Sequence, residues 1–438
     1  MKKIWIALTS VVVLSFIVLI WVGTENYQTQ PTIPETVIVK ETGEVLYTKE
    51  DIQIGQNVWE SIGGMEVGSI WGHGSYVAPD WTADWIHKEA VFMLEAWAQR
   101  DFQTNYEALD VEKKAAIKAR LIKDIKTNTF NKSDGTITIS ESRLAAIKVN
   151  INHYTTIFSE GKAEYAIPKG ALVDKDKLEK LNAFLFWTSW AASTNRPNKE
   201  YTYTSNWPHE PLIDNNITKN SLIWSGLSIV LLLLFIGILT FYYLRNHEKG
   251  ELLTKPENDP LEDLKFTRSQ RAVLKYFIVI SLLIGLQVIL GIITVHYTVE
   301  GQAFFGFELS QYLPYSITRT WHTQLAIFWI AATWLATGLF LAPMISGKEM
   351  KYQVFGINFL FVALIIIVFG SMLGEWLGVH QFLSLTMNFF FGHQGYEYMD
   401  LGRFWQIFLG IGLVLWVVLV GRHLIYGIRK NDSSKHLL

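Results

Sequence analysis

The sequence predicts a mainly α, polytopic membrane protein: six transmembrane helices, with one water-soluble domain between the first and the second. Three observations carry this. Half of the 438 residues are hydrophobic and only 18% are charged, against about 25% in an ordinary soluble chain. The deficit is concentrated in six runs without Asp, Glu, Lys or Arg, at 4–23, 221–244, 276–299, 320–347, 352–374 and 404–421. Each run is close to or above the roughly 20 residues that cross a hydrocarbon core. The third observation is that basic residues gather between alternate runs, as the positive-inside rule requires.

The first run follows Lys2 and Lys3. It is long, and no small-x-small cleavage site follows Trp21-Val22-Gly23-Thr24, so it reads as an uncleaved anchor rather than a signal peptide. The two lysines put the N-terminus in the cytoplasm and 25–219 outside. The loop after the second run holds Arg245, Lys249, Lys255, Lys265, Arg268 and Arg271, and reads as cytoplasmic. Lys348 and Lys351 fall inside, 375–403 outside, and Arg422, Arg429, Lys430 and Lys435 inside. The chain thus divides into an anchor (1–24), an extracytoplasmic domain (25–219), a five-helix membrane domain (220–430) and a cytoplasmic tail (431–438), in the cell membrane.

With no cysteine, disulfides, thiolate-bound iron–sulfur clusters and thioether-linked haem are excluded. A net charge of −2 gives no indication of a nucleic-acid partner, and membrane lipid is the expected environment.

In the soluble domain, 110–126 and 140–160 have helical apolar spacing, and Asp110 suits a helix start. Asn131 to Gly135 reads as a turn with Gly135 at positive φ. Residues 59–85 are dense in Gly and Trp. Either this is a tight, Trp-packed loop, or its backbone oxygens and Tyr76 touch an ion or cofactor.

A polar side chain inside a span is costly unless partnered. His322 begins the fourth span. Imidazole is the usual ligand of b-type haem iron, but a core histidine bonded to a backbone carbonyl fits the spacing too. His296 and Glu300 share a face if the third helix runs through them, and Phe304 lies four further along. A quinol must lose protons with its electrons, and a His–carboxylate pair beside an aromatic can accept them; an interfacial pair that only caps the helix is the alternative. His393, Glu397 and Asp400 lie in the last outer loop, whose oxygens are of the type calcium prefers. His423 reads as a snorkelling residue at the cytoplasmic edge, and His380 as solvated.

At these residues the sequence resembles the quinol-dependent nitric oxide reductases, single-chain relatives of the haem–copper oxidases. The matching stretches are HYTVEGQAFFGFELSQYLPYSITRTWHTQLAIFWIAATWLATGLFLAP (296–343), GEWLGV (374–379), FGHQGYEYMDLGRFWQ (391–406) and WGHGSYVAPDW (71–81). The resemblance implies that the outer domain is cytochrome-c-like but has lost its haem c, which the lack of cysteine suits. It implies His322 as an axial ligand of low-spin haem b. It further implies His296, Glu300 and Phe304 as the pocket for quinol, or menaquinol, as electron donor. Gly74, Tyr76 and Glu397 would surround a calcium ion bridging the haem propionates. The implied reaction, a step of denitrification, is 2 NO + quinol → N₂O + water + quinone.

The chain departs from that pattern in one respect. A binuclear centre needs a histidine for haem b₃ and a His and Glu cluster for non-haem iron, and no charge-free run carries two histidines. The second low-spin ligand is also missing, since His423 is at the opposite edge from His322. The expectation is the N-terminal, donor-side half of such an enzyme, with no catalytic residue in this chain and completion by a missing half or partner chain. The alternatives are a catalytically inactive membrane fragment and a quinol-linked haem b electron-transfer subunit.

Overall fold

The structure is a computed structural model describing residues 2–74, 77–246, 265–396 and 398–430. In chain order the helices are α1 (Lys2–Thr29), α2 (Lys49–Ser61), α3 (Trp81–Phe102), α4 (Val111–Lys126), α5 (Glu141–Glu160), α6 (Lys175–Ser193) and α7 (Lys219–Asn246). They continue with α8 (Arg268–Val299), α9 (Leu309–Tyr312), α10 (Tyr315–Ser346), α11 (Gln353–Val379), α12 (Leu385–Phe391) and α13 (Arg403–Lys430). Strands β1 (Thr36–Val39), β2 (Val45–Thr48) and β3 (Thr136–Ile139) form one small sheet, order β2-β1-β3, with β1 antiparallel to β2 and parallel to β3.

Six helices are long and apolar enough to cross a membrane, bearing out the predicted number: Leu8–Thr29, Lys219–Arg245, Arg268–Val299, Tyr315–Ser346, Gln353–Val379 and Arg403–Arg429. Their ends reach past the charge-free runs. A helix continues as long as its carbonyls and amides pair within it, and one charged residue with a buried partner does not stop it. Lys249, Lys255 and the tail 431–438, used above for orientation, lie outside the described residues.

The chain forms two compact units. One comprises Met1–Gln53, Trp81–Asn152 and Asn182–Leu222; the other comprises Ile54–Asp80, His153–Leu181 and Ile223–Leu438. In the first, α4 starts where the Asp110 carboxylate accepts the Lys113 amide at 2.8 Å and buries Ile117, Leu121 and Ile125 at four-residue spacing. The turn before β3 has Gly135 at φ +72, as its sequence requires. Trp81, Trp85, Trp97 and Trp190 are fully buried. Beside them Arg143 Nε donates to Glu89 Oε1 at 2.5 Å. Burial lifts the Glu89 carboxyl above the ordinary carboxylate range, and Arg143 opposes the shift.

In the second unit α8 and α10 form the most extensive helix pair, with α11 and α13 packed around them. Leu325, Phe328, Ala332, Ala336 and Leu339 make one buried stripe on α10, and its alanines allow close helix approach. Gly338 leaves room for the indole of Trp416, whose Nε1 donates to Leu335 O at 3.1 Å. The apolar windows of α1 and α7 are exposed all round.

Candidate functional site

At the end of α8 the Glu300 amide still donates to His296 O at 3.0 Å, and the helix then stops. Gly301, at φ +92, takes a conformation that costs other residues strain. The chain doubles back there, and Phe304 returns to lie flat on His296, ring centroids 3.9 Å apart at 6°. Phe305 meets the same imidazole edge-on at 5.8 Å. His296 Nδ1 is 3.0 Å from Glu300 Oε2, and the two side chains are 29% and 42% exposed. The sequence brings His296, Glu300 and Phe304 together, but Phe304 arrives through a turn, since the expected helical stripe ends at Val299. An imidazole with Nε2 uncommitted, a carboxylate and an aromatic wall can bind a flat hydroxylated ring and take up its proton.

His322 lies within α10. Its Nδ1 is 2.8 Å from the carbonyl oxygen of Gln287 on α8. A Cβ at Gly291 would come within 2.7 and 2.8 Å of the ring atoms Cε1 and Nδ1, so the absence of a side chain there makes room for the imidazole. The carbonyl fixes the tautomer with N–H at Nδ1 and leaves the lone pair on Nε2. This is the outer-shell arrangement that orients a metal-ligating histidine, and it equally satisfies a core histidine. On the axial side that His322 offers, the residues therefore fit a haem. The other span histidines among the described residues, His296 and His423, are engaged by Glu300 and Ser346.

A buried polar network, unforeseen from the sequence, joins α10, α11 and the loop before α13. Gln324 Nε2 donates to Glu375 Oε1 at 2.7 Å and to the backbone oxygen of Asp400. Asp400 accepts the amides of Gln394 and Gly395 at 2.5 and 3.1 Å, and its Oδ2 lies 2.7 Å from His393 Nδ1. His393 Nε2 meets Thr320 Oγ1 at 3.2 Å, and its Nδ1 faces Glu60 O at 3.1 Å. Glu375, Asp400 and His393 are fully buried. Burial pushes the Glu60 carboxyl up to about 7, with Gln56 opposing and Asp400 adding to the rise. Arg319 and the fully buried Glu66 form an ion pair.

Several sequence expectations are corrected here. Arg319 and Glu375, read as loop residues, lie inside α10 and α11. Leu377 and Val379 continue the apolar stretch after Glu375, and that was the available clue. His423 does not snorkel: it is fully buried and bonds Ser346 Oγ at 2.7 Å, because the end of α13 packs on that of α10. His380 is not freely solvated. It stacks on Trp376 at 4.3 Å and meets Gln311 O at 3.0 Å.

In the loop of 59–85, Asp80 Oδ2 accepts Ser69 Oγ and the Gly72 amide at 2.6 and 2.7 Å. That gives the tight turn its frame. Of the residues expected near calcium, Gly74 sits at φ +84 in open space, while Tyr76 and Glu397 lie outside the described residues. Among the described residues no three His, Asp or Glu side chains are grouped to hold a metal ion.

Comparison with known families gives two matches. Residues 34–209 match the family described as the cytochrome c-like domain of NorB, a nitric oxide reductase polypeptide. Residues 271–437 match the family described as cytochrome c and quinol oxidase polypeptide I. No curated protein matches the chain.

Proposed function

From a chain that belongs to the haem–copper oxidase superfamily and carries the outer domain of its nitric oxide reductases, we propose that this is the quinol-oxidising part of a nitric oxide reductase. The constellation of His296, Glu300 and Phe304 carries the reading: an imidazole stacked on an aromatic and bonded to a carboxylate, all three partly open. Quinol gives up two electrons and two protons; two NO molecules take them up to give one N₂O and one water. His296 would hydrogen-bond one quinol hydroxyl through Nε2, and Glu300 would receive its proton. Phe304, with Phe305 at its edge, would hold the ring flat. Val295 and Val299, both more than half exposed, leave the site accessible from lipid.

His322 would hold a low-spin haem b through Nε2, with Gln287 O fixing the ring, and that haem would carry single electrons away from the quinol. Gly74, with Tyr76 and Glu397, would contribute to a calcium site. A partner polypeptide would supply the second axial ligand, haem b₃ and the non-haem iron site. The charge pattern supports a cytoplasmic N-terminus and an extracytoplasmic domain.

The test is binding of a hydroxyquinoline quinol analogue to the purified chain in lipid nanodiscs. We expect saturable binding that His296→Ala and Glu300→Ala each weaken about tenfold or more, as for loss of a hydrogen bond to a charged partner. Unchanged affinity in both variants would overturn the pocket. Steady N₂O formation by this chain alone would overturn the need for a partner.

A further inference from the structure

A cavity of about 320 Å³ lies where α10 begins and α11 ends, bordered by Pro314, Ser316, Val379 and Gln381. The start of one span and the end of the next mark a membrane–water boundary, whichever way the protein is oriented. The remaining wall comes from 166–174 and from Ile62, Val67 and Phe158, which are apolar.

Two ammonium groups serve this cavity, Lys169 and Lys177. Lys177 Nζ donates to Gln381 Oε1 at 2.9 Å, a neutral partner that positions the charge without cancelling it. The one carboxylate in the lining, Asp174, caps α6 by accepting the amides of Asp176 and Lys177 at 3.0 and 3.2 Å. A surplus positive charge therefore sits over an apolar recess. The rim carries Trp376 and His380 stacked together, with Tyr312 and Phe382 more than two-thirds exposed. Such aromatic groups gather at the headgroup level of a bilayer.

We propose that this cavity binds the headgroup of an anionic phospholipid, its phosphodiester held between Lys169 and Lys177 and its glycerol and upper acyl carbons against the apolar wall. A soluble phosphate would gain nothing from that wall. A neutral quinol would gain nothing from the two ammonium groups. The proposal is independent of the electron-donor reading.

The test uses the full chain, purified in mild detergent, with the co-purifying lipid extracted and quantified by mass spectrometry. Thermal unfolding is then followed after adding phosphatidylglycerol, phosphatidylcholine or inorganic phosphate. Retained phosphatidylglycerol, and a rise in unfolding temperature with that lipid alone, are expected. The double variant Lys169→Gln/Lys177→Gln should lower its retention roughly tenfold, since each basic residue near a bilayer contributes about fivefold. Lys177→Arg should keep it, which separates loss of charge from misfolding. Equal retention in the double variant, or stabilisation by inorganic phosphate or phosphatidylcholine equal to that by phosphatidylglycerol, would overturn the assignment.

Discussion

His296 and Phe304 lie face to face, 3.9 Å apart and 6° from parallel, although the helix carrying His296 ends before Phe304 is reached. Glu300 then has one route to the imidazole, Nδ1, and leaves Nε2 facing outwards. The aromatic fixes the plane of the imidazole, and the carboxylate fixes its rotation. Their effects on a bound quinol should therefore separate.

Phe304→Ala removes the stack but no proton acceptor. A well-placed aromatic pair contributes about 0.5–1.5 kcal/mol beyond its area, so affinity for a quinol analogue should fall about two- to tenfold. Glu300→Gln keeps a hydrogen-bonding group but cannot take up a proton. Analogue binding should change little, while quinol oxidation in an active preparation drops about 10²-fold or more. Titration of the analogue and steady-state quinol oxidation check the two. Equal losses of binding and rate in both variants would contradict the division of roles.

The imidazole of His322 depends on Gly291. An alanine there would put its Cβ 2.7 to 2.8 Å from ring atoms, so the ring must leave the Gln287 carbonyl or α8 and α10 must separate. Overpacking of this kind costs about 1–3 kcal/mol. In a preparation containing haem, Gly291→Ala should weaken or shift the low-spin absorption band, and His322→Ala should abolish it. An unaltered visible spectrum in both variants would remove His322 from the haem.

How much of this was legible beforehand depended on the range of the interactions. The spans, the cap at Asp110 and the Gly135 turn rest on neighbours within a few residues, so pattern alone recovers them. His296 and Glu300 are one helical turn apart, and their meeting was legible for the same reason. The environment of Glu375 was not. Its partner Gln324 is 51 positions away, and a charge next to an apolar run looks like the end of that run. Likewise Arg319 resembles an ordinary boundary arginine until Glu66, from a distant segment, is brought against it. His423 was misread because basic residues at a span edge usually reach for water, whereas here Ser346 takes the ring.

The buried pair of Glu66 and Arg319 provides a stability test. Glu66→Gln leaves the guanidinium buried without its carboxylate. Breaking a buried ion pair from one side typically costs 3–5 kcal/mol, so the unfolding temperature in detergent should drop by about 5 °C or more. Pairing Glu66→Gln with Arg319→Leu should restore part of the loss, because the uncompensated charge is gone. A single variant as stable as the parent would mean that the pair is hydrated and contributes little.

Glu60 predicts a pH dependence. Burial raises its carboxyl from 4.5 to about 7 in the folded protein, so between those values the folded state holds a proton that the unfolded state has released. Stability therefore falls as pH rises through this window. Its contribution is intact below about 4.5 and lost above about 7. The change across the window is at most about 3 kcal/mol. Glu60→Gln, which cannot ionise, should be more stable than the parent at pH 8, and the difference should shrink as the pH is lowered towards 5. The measurement is the unfolding temperature of both proteins across that range. If the two curves run parallel, Glu60 is not the titrating group.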